Sequence, residues 1–350
     1  MGIVRDRMKY LVLVVALAAS LAACGSNHPA DTTDAPPDIP DGTGYTPTTP
    51  RTQMPDTFVG PTGLQYRLGT LIDSAQHSLD VQMYLFTVRA LADKIVAAQQ
   101  RGVTVRVILD PDEAGNQQVT PTFTTANINW KNASTVYQYS HAKYLIIDRA
   151  SAVIMSMNFN LDAMNNERNY GMVDKDPEDV ADLQLVFDQD WALANGQTPP
   201  APDLTCTRLI VSPTNAQQRI YSLIQGSQHT LDIESLYITD SALRSAIVSA
   251  ANRGVTVRVI LEDPSDQSSN TDATTTFKNA GIPVKYATTQ FYLHAKLIIS
   301  DGVAFVGSEN LSPTALQKNR EVGALAFEPP AVQPIQAQFD ADWAATTPAP

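Results

Sequence analysis

His141, Lys143, Ser156 and Asn158 form one set of side chains able to handle a phosphate. His294, Lys296, Ser308 and Asn310 form a second set, in the same order and at nearly the same spacing. Lysine neutralises non-bridging phosphate oxygens, and serine and asparagine donate hydrogen bonds to them. Imidazole serves as a nucleophile or proton carrier near neutral pH. Asp148 and Asp301 each follow their lysine by five residues. A single His-x-Lys is a weak signal. Two copies, each with the trailing Asp and a Ser-x-Asn, read as two halves of one site that clamps a phosphodiester between two imidazoles.

Strands must aim these groups. Lys143–Asp148 and Lys296–Ile299 are apolar and β-rich. Asp148-Arg149-Ala150-Ser151 and Asp301-Gly302 are turn signals, and Ala152–Asn158 and Val303–Asn310 return. Each motif is therefore expected to form a β-hairpin, in which residues two apart share a face. The hairpins lie inside a longer duplication. Arg101–Leu109 recurs unchanged as Arg253–Leu261, Gln76–Asp80 returns as Gln228–Asp232 and Phe187–Trp191 as Phe339–Trp343. A period this long marks duplicated domains. In each half a helix (68–74; 220–226) leads to a strand (79–85; 231–238). A second helix follows, capped by Thr87 or by Thr239 or Asp240 and ended by Gly102 or Gly254. A buried Val-Thr-Val-Arg-Val-Ile-Leu strand comes next. This alternation predicts α/β halves with largely buried sheets, spanning 58–200 and 201–350. The repeated His77 and His229 read as junction residues, Trp191 and Trp343 as core anchors. Gln82 and Glu234 read as packed polar residues or as groups approaching the site.

The chain has 350 residues, 43% of them hydrophobic, enough for two such domains. Its net charge of −12 argues against a nucleic-acid partner, because phosphate backbones recruit basic surfaces. The two cysteines, Cys24 and Cys206, give no disulfide framework, and no Cys/His cluster has zinc spacing. Arg5, Arg7 and Lys9 precede an apolar run from Tyr10 to Ala23, the pattern of a signal peptide over 1–23. Leu21-Ala22-Ala23-Cys24-Gly25 resembles a bacterial lipobox, which implies cleavage before Cys24 and its lipidation. Residues 24–57, rich in Pro, Thr, Asp and Gly, read as a disordered tether. Export across a bacterial inner membrane and anchoring at the periplasm, outer membrane or cell surface are expected, with Cys206 a lone buried thiol.

The full pattern, His-x-Lys, four residues, Asp, then Gly-Ser-x-Asn, resembles the HKD motif of the phospholipase D superfamily, and the resemblance covers nearly everything from 58 to 345. It implies two duplicated phospholipase D-like α/β/α sandwich domains related by pseudo-two-fold symmetry, with no metal or other cofactor and a monomer whose site lies between its halves. It implies hydrolysis of phospholipid to phosphatidate and a head-group alcohol, or phosphatidyl transfer, through a phosphohistidine. By resemblance His141 attacks and His294 does acid/base work, while the residues alone permit the reverse. Asp148 and Asp301 would support the histidines from behind, and Glu321 matches the family's supporting carboxylate. The alternatives are an extracytoplasmic nuclease of the same superfamily and a catalytically inactive envelope binding protein. Three departures stand out. Met155 occupies the place of a glycine. Only five residues separate Asp301 from Gly307, one fewer than the family has. Asn169 stands where the second half has Glu321, with Glu167 two residues earlier.

Overall fold

A computed structural model describes residues 51–205, 207–287 and 291–350. The expected signal peptide, Cys24, most of the expected tether and Cys206 lie outside the described residues. The first half runs β1 (Asp56–Gly60), α1 (Leu64–Asp73), β2 (Ser78–Met83), α2 (Arg89–Gln100), β3 (Thr104–Leu109), α3 (Thr120–Thr125), β4 (Asn129–Asn132), β5 (Lys143–Ile147), β6 (Ser151–Met155), α4 (Leu161–Asn165), β7 (Glu167–Asp174) and α5 (Pro177–Ala194). The second runs β8 (Leu209–Ser212), α6 (Ala216–Gly226), β9 (Thr230–Ser235), α7 (Ser241–Asn252), β10 (Thr256–Leu261), α8 (Asn270–Asn279), β11 (Val284–Tyr286), β12 (Tyr292–Leu293), β13 (Lys296–Ser300), β14 (Val303–Gly307), α9 (Pro313–Gln317), β15 (Glu321–Ala326), α10 (Pro329–Ala345) and β16 (Thr347–Pro348).

Each half carries one mixed sheet, ordered β1-β7-β6-β5-β2-β3-β4 in the first and β16-β11-β10-β9-β13-β14-β15-β8 in the second. Every strand residue of β5, β13 and β14 is buried, because both faces are covered. On the outer faces, Leu68, Ile72, Leu91 and Ile95 pack on the first sheet, and Ile220, Leu223, Leu243 and Ile247 on the second. Between the sheets a third core joins Tyr144, Ile146 and Phe187 to Leu297, Ile299 and Phe339, so α5 and α10 are shared by both domains. Burial of these large side chains stabilises the interdomain contact at roughly 1.5–3 kcal/mol each.

The expected hairpins form, with Tyr144 opposite Ile154 and Leu297 opposite Val306. Gly102 (φ 97°) and Gly254 (φ 93°) end their helices in the left-handed region, where a side chain would be strained. Asp240 caps α7 by accepting from Ala242 N and Leu243 N. Thr87 does not cap α2, whose N-terminus has no side-chain cap. There the entry is pinned by backbone instead, Thr87 N and Val88 N both donating to Phe159 O.

The boundary at 58 also needs correction. Arg51, assigned to the tether, is buried, and its guanidinium contacts Asp174 (2.9 Å), Asp179 (2.7 Å) and Glu328 (3.2 Å) and donates to Leu325 O. Asp56 and Thr57 already pair with β7 as part of β1. The packed body therefore includes residue 51, which bridges both halves.

Candidate active site

Each motif histidine sits just ahead of its strand and is held by the opposite half. His141 N donates to Arg320 O (2.9 Å), and His294 N donates to Arg168 O (3.1 Å). Ser140 bridges to Arg320, and β12 pairs parallel with β7. The two arginines lock this exchange through their side chains. Arg320 binds Asp190 on α5 (2.9 Å), and Arg168 binds Asp342 on α10 (2.6 Å). The repeated Phe-Asp-x-Asp-Trp segments thus supply both interdomain carboxylates. Trp191 stacks on Phe187 and Trp343 on Phe339, so both serve as packing anchors. Gln82 and Glu234 are packed polar groups. Gln82 donates to Asp190 and Ser140, and Glu234 accepts from the Tyr170 hydroxyl at 2.6 Å.

The two halves meet where the motifs end. Lys143 and Lys296 have 0% and 1% exposure, and each donates to the carbonyl of its own motif histidine. Burial lowers the Lys143 ammonium to about 8, against the pull of Glu321 and Glu309. Burial, then repulsion from Lys143, pushes Lys296 well below its ordinary value. Two amines that repel each other in a dry site are stabilised by an arriving anion. The imidazoles keep a small open edge, 13% exposed for His141 and 12% for His294.

The partners of the two rings differ. His141 Nδ1 lies 2.9 and 2.8 Å from the two Glu321 oxygens, and Asn319 Nδ2 donates to the same carboxylate at 2.9 Å. His294 Nδ1 instead meets the Asn169 amide oxygen at 3.1 Å, with Asn169 Nδ2 donating to Glu167 at 3.0 Å. Glu167 itself is 3.6 Å from the ring. Burial would raise Glu321, yet the His141 ring and Lys143 outweigh it and hold the carboxyl below its ordinary value. Burial raises Glu167, against Asn169 and Lys296. Tyr84 packs edge-on against the His141 ring, centroids 4.6 Å apart.

The sequence assignments divide. Both His-x-Lys pairs converge as expected, and Glu321 supports a histidine, that of the other half. Asn158 and Asn310 are buried at the motif ends, and their side-chain oxygens have no partner among the described residues. Asp148 and Asp301 do not stand behind the histidines. Five residues of strand at about 3.3 Å each carry Asp148 roughly 16 Å from Lys143. There it accepts from the backbone N–H groups of Gln76, His77 and Ser78. Asp301 does the same for Gln228, His229 and Thr230. These amides explain the repeat around His77 and His229. Ser156 is likewise committed, donating to Asn169 at 2.8 Å and accepting from Tyr170 N. It orients His294's partner. Ser308 is fully buried and accepts from Val322 N.

Sequence reading passed over Glu309, Asn319 and Arg168. Glu309 is wholly buried, with neither carboxyl oxygen paired. Burial, then Glu321 nearby, pushes its carboxyl well above its ordinary value. Gly307 and Gly323 make its room, since a Cβ at either would come within 2.3 or 2.8 Å of Glu309 Oε2. In the first half Met155 and Met157 fill the matching space as apolar core. Asn319 and Arg168 were legible only as partial repeats of Glu167 and Arg320.

Comparison with known proteins agrees with this architecture. The family model described as "Cardiolipin synthase, PLD-like domain" matches twice, over residues 68–191 and 220–343. A cardiolipin synthase of Alkalihalophilus pseudofirmus is 24% identical over 316 residues, covering 76% of this chain and 61% of that protein. One from Halalkalibacterium halodurans is 25% identical over 233 residues, covering 59% and 46%. The chain thus spans about half to three-fifths of the length of these relatives. Among solved structures, a phosphatidylserine synthase of Haemophilus influenzae superposes with TM-score 0.67 at 14% identity, covering 85% of this chain and 88% of that one, a likeness of fold. Two matched repeats, two equivalent sheets and two facing His-x-Lys pairs show that the chain belongs to the phospholipase D-like family of the cardiolipin synthase type.

Proposed function

We propose that the chain is a metal-independent phosphodiesterase of the phospholipase D type that acts on phospholipids. One imidazole attacks phosphorus to form a phosphohistidine, and the other protonates the departing alcohol. Water or an acceptor alcohol then takes the phosphatidyl group. The observation that carries this reading is the buried pair Lys143 and Lys296, two amines at one site beside two partly open imidazoles. An arriving phosphate would favour their charged forms and so draw out the positive charge that phosphoryl transfer demands. The named relatives act in cardiolipin synthesis, which favours transfer beside hydrolysis. Lipidated Cys24 would hold the domains near their substrate and raise its local concentration. The proposed placement is export with anchoring at the periplasm, outer membrane or cell surface.

The purified full chain in mixed micelles tests this. It is offered phosphatidylcholine, phosphatidylglycerol, cardiolipin or single-stranded DNA, each in EDTA. Release of phosphatidate or head-group alcohol, lost in His141→Ala and His294→Ala, is expected. Cleavage of DNA alone would make the protein a nuclease. Binding without turnover would make it an envelope binding protein.

A further inference from the structure

The two halves hold their interdomain carboxylates with different side chains. Gln82 on β2 and Glu234 on β9 are matching residues of the repeat, as are Asp190 and Asp342. Gln82 Nε2 donates to Asp190 at 3.1 Å and to the Ser140 hydroxyl at 2.9 Å, while its Oε1 accepts from the Tyr144 hydroxyl at 2.6 Å. Glu234 Oε2 accepts from the Tyr170 hydroxyl at 2.6 Å, and the side chain hydrogen-bonds Asp342. Asp342 itself accepts from Arg168 at 2.6 and 3.0 Å and from Gln338 Nε2 at 2.9 Å. Among the described residues no N–H or O–H is directed at Glu234 Oε1. The residue is wholly buried, and its cross-strand neighbours, Leu297 on β13 and Ile260 on β10, are apolar.

An ionised Glu234 would set a second negative charge against Asp342 in a dry interior. An un-ionised carboxyl offers what the place requires, a carbonyl oxygen for Tyr170 and one O–H for Asp342. The count of hydrogens agrees. Gln82 spends two, on Asp190 and on Ser140, but Leu293 stands in the second half where Ser140 stands in the first, so one is enough there.

We infer that Glu234 is a positioning residue for His294 and works as an un-ionised acid, its O–H bonded to Asp342. Asp342 fixes the Arg168 side chain, and the Arg168 carbonyl accepts from His294 N at 3.1 Å. Tyr170 lies two residues further along β7, so Glu234 holds that strand of the opposite half at two points. The effect on turnover rests on the phosphodiesterase reading above, whereas the state of the proton does not. The titratable groups that act on Glu234 are Asp342 on α10 and Arg168 and Tyr170 on β7. Burial, then Asp342, pushes its carboxyl well above the ordinary value, against Tyr170 and Arg168. The unfolded chain therefore gives up this proton first. The contribution to stability is full below the ordinary glutamate range and declines as pH rises toward the raised value.

The test compares the full chain with Glu234→Gln and Glu234→Leu. In urea unfolding across pH, the unfolding constant of the wild type relative to Glu234→Gln is expected to rise about tenfold per pH unit above the ordinary glutamate range, until the raised value is reached. The spare amide hydrogen beside Leu293 shifts every point alike and leaves this slope intact. A flat ratio overturns the un-ionised acid. The infrared difference between wild type and Glu234→Gln at neutral pH is expected to carry the carbonyl band of a carboxylic acid, and a carboxylate band in its place overturns it as well. These two measurements stand whether or not Glu234→Leu folds. With phosphatidylglycerol, Glu234→Leu is expected to lose roughly 10-fold or more in kcat per folded molecule with KM little changed, as the loss of a hydrogen bond to a charged group implies. Glu234→Gln is expected to recover most of it. A loss confined to KM, or equal losses in the two variants, overturns the positioning role. No turnover by the wild type overturns the phosphodiesterase reading, and the positioning role falls with it, while the slope and the band still decide the proton.

Discussion

Replacing Glu321 by Gln tests the His141 partnership most directly. Gln keeps the length of the side chain and an oxygen for Asn319 Nδ2, but removes the charge that both contacts at 2.8 and 2.9 Å bring to His141 Nδ1. A hydrogen bond to a charged group contributes about 1.5–3 kcal/mol. At about 1.36 kcal/mol per factor of ten, its loss corresponds to roughly 10- to 150-fold in kcat/KM. The sign follows from the proton. Without the carboxylate the His141 imidazolium is less favoured, so the limb of the pH–rate profile that His141 governs moves to lower pH. The assay is kcat/KM for phosphatidylglycerol across the neutral range. An undiminished kcat/KM, or a profile whose two limbs both stay in place, would refute the reasoning.

Three other outcomes are expected. Asn169→Asp places a carboxylate at His294 Nδ1, favours its protonated form and moves the limb of kcat/KM that His294 governs to higher pH; an unmoved profile counts against the Asn169 contact. Arg51→Ala leaves Asp174 buried without its cation, while Asp179 keeps Arg208, and urea unfolding should show a loss of about 3 kcal/mol. Asp148→Ala removes the acceptor of three backbone N–H groups at a partly exposed turn, costing about 1 kcal/mol and leaving the activity per folded molecule intact. Those amides outweigh the slight burial and hold the Asp148 carboxyl below its ordinary value. Its contribution should therefore be full above the usual carboxylate range and fade as pH falls through the depressed value, seen as a pH-dependent gap in Tm between wild type and variant.

The paired His-x-Lys groups were legible because the same side chains recur in two strand-forming segments, and strand parity fixes their direction. The fold was legible for the same reason, since the duplicated Arg101–Leu109 segment is the strand β3 with its entry turn. Asp148 was misplaced because nearness in a motif is not nearness in an extended chain. Arg51 was hidden in a Pro- and Thr-rich stretch, and its partners Asp174, Asp179 and Glu328 lie far along the sequence. Asn169 showed as a departure from the repeat, but nothing local says that it faces His294 of the other half. Ser156 looked like a phosphate ligand because its commitment to Asn169 is tertiary.

The crossed pairing of His141 with Arg320 and of His294 with Arg168 makes the site an interlock. Sliding the halves apart by the width of a hydrogen bond would release both rings in the same movement, since each is keyed into the opposite strand. The arrangement of the two rings is then a property of closure as a whole, and it lasts as long as the Asp190 and Asp342 latches hold.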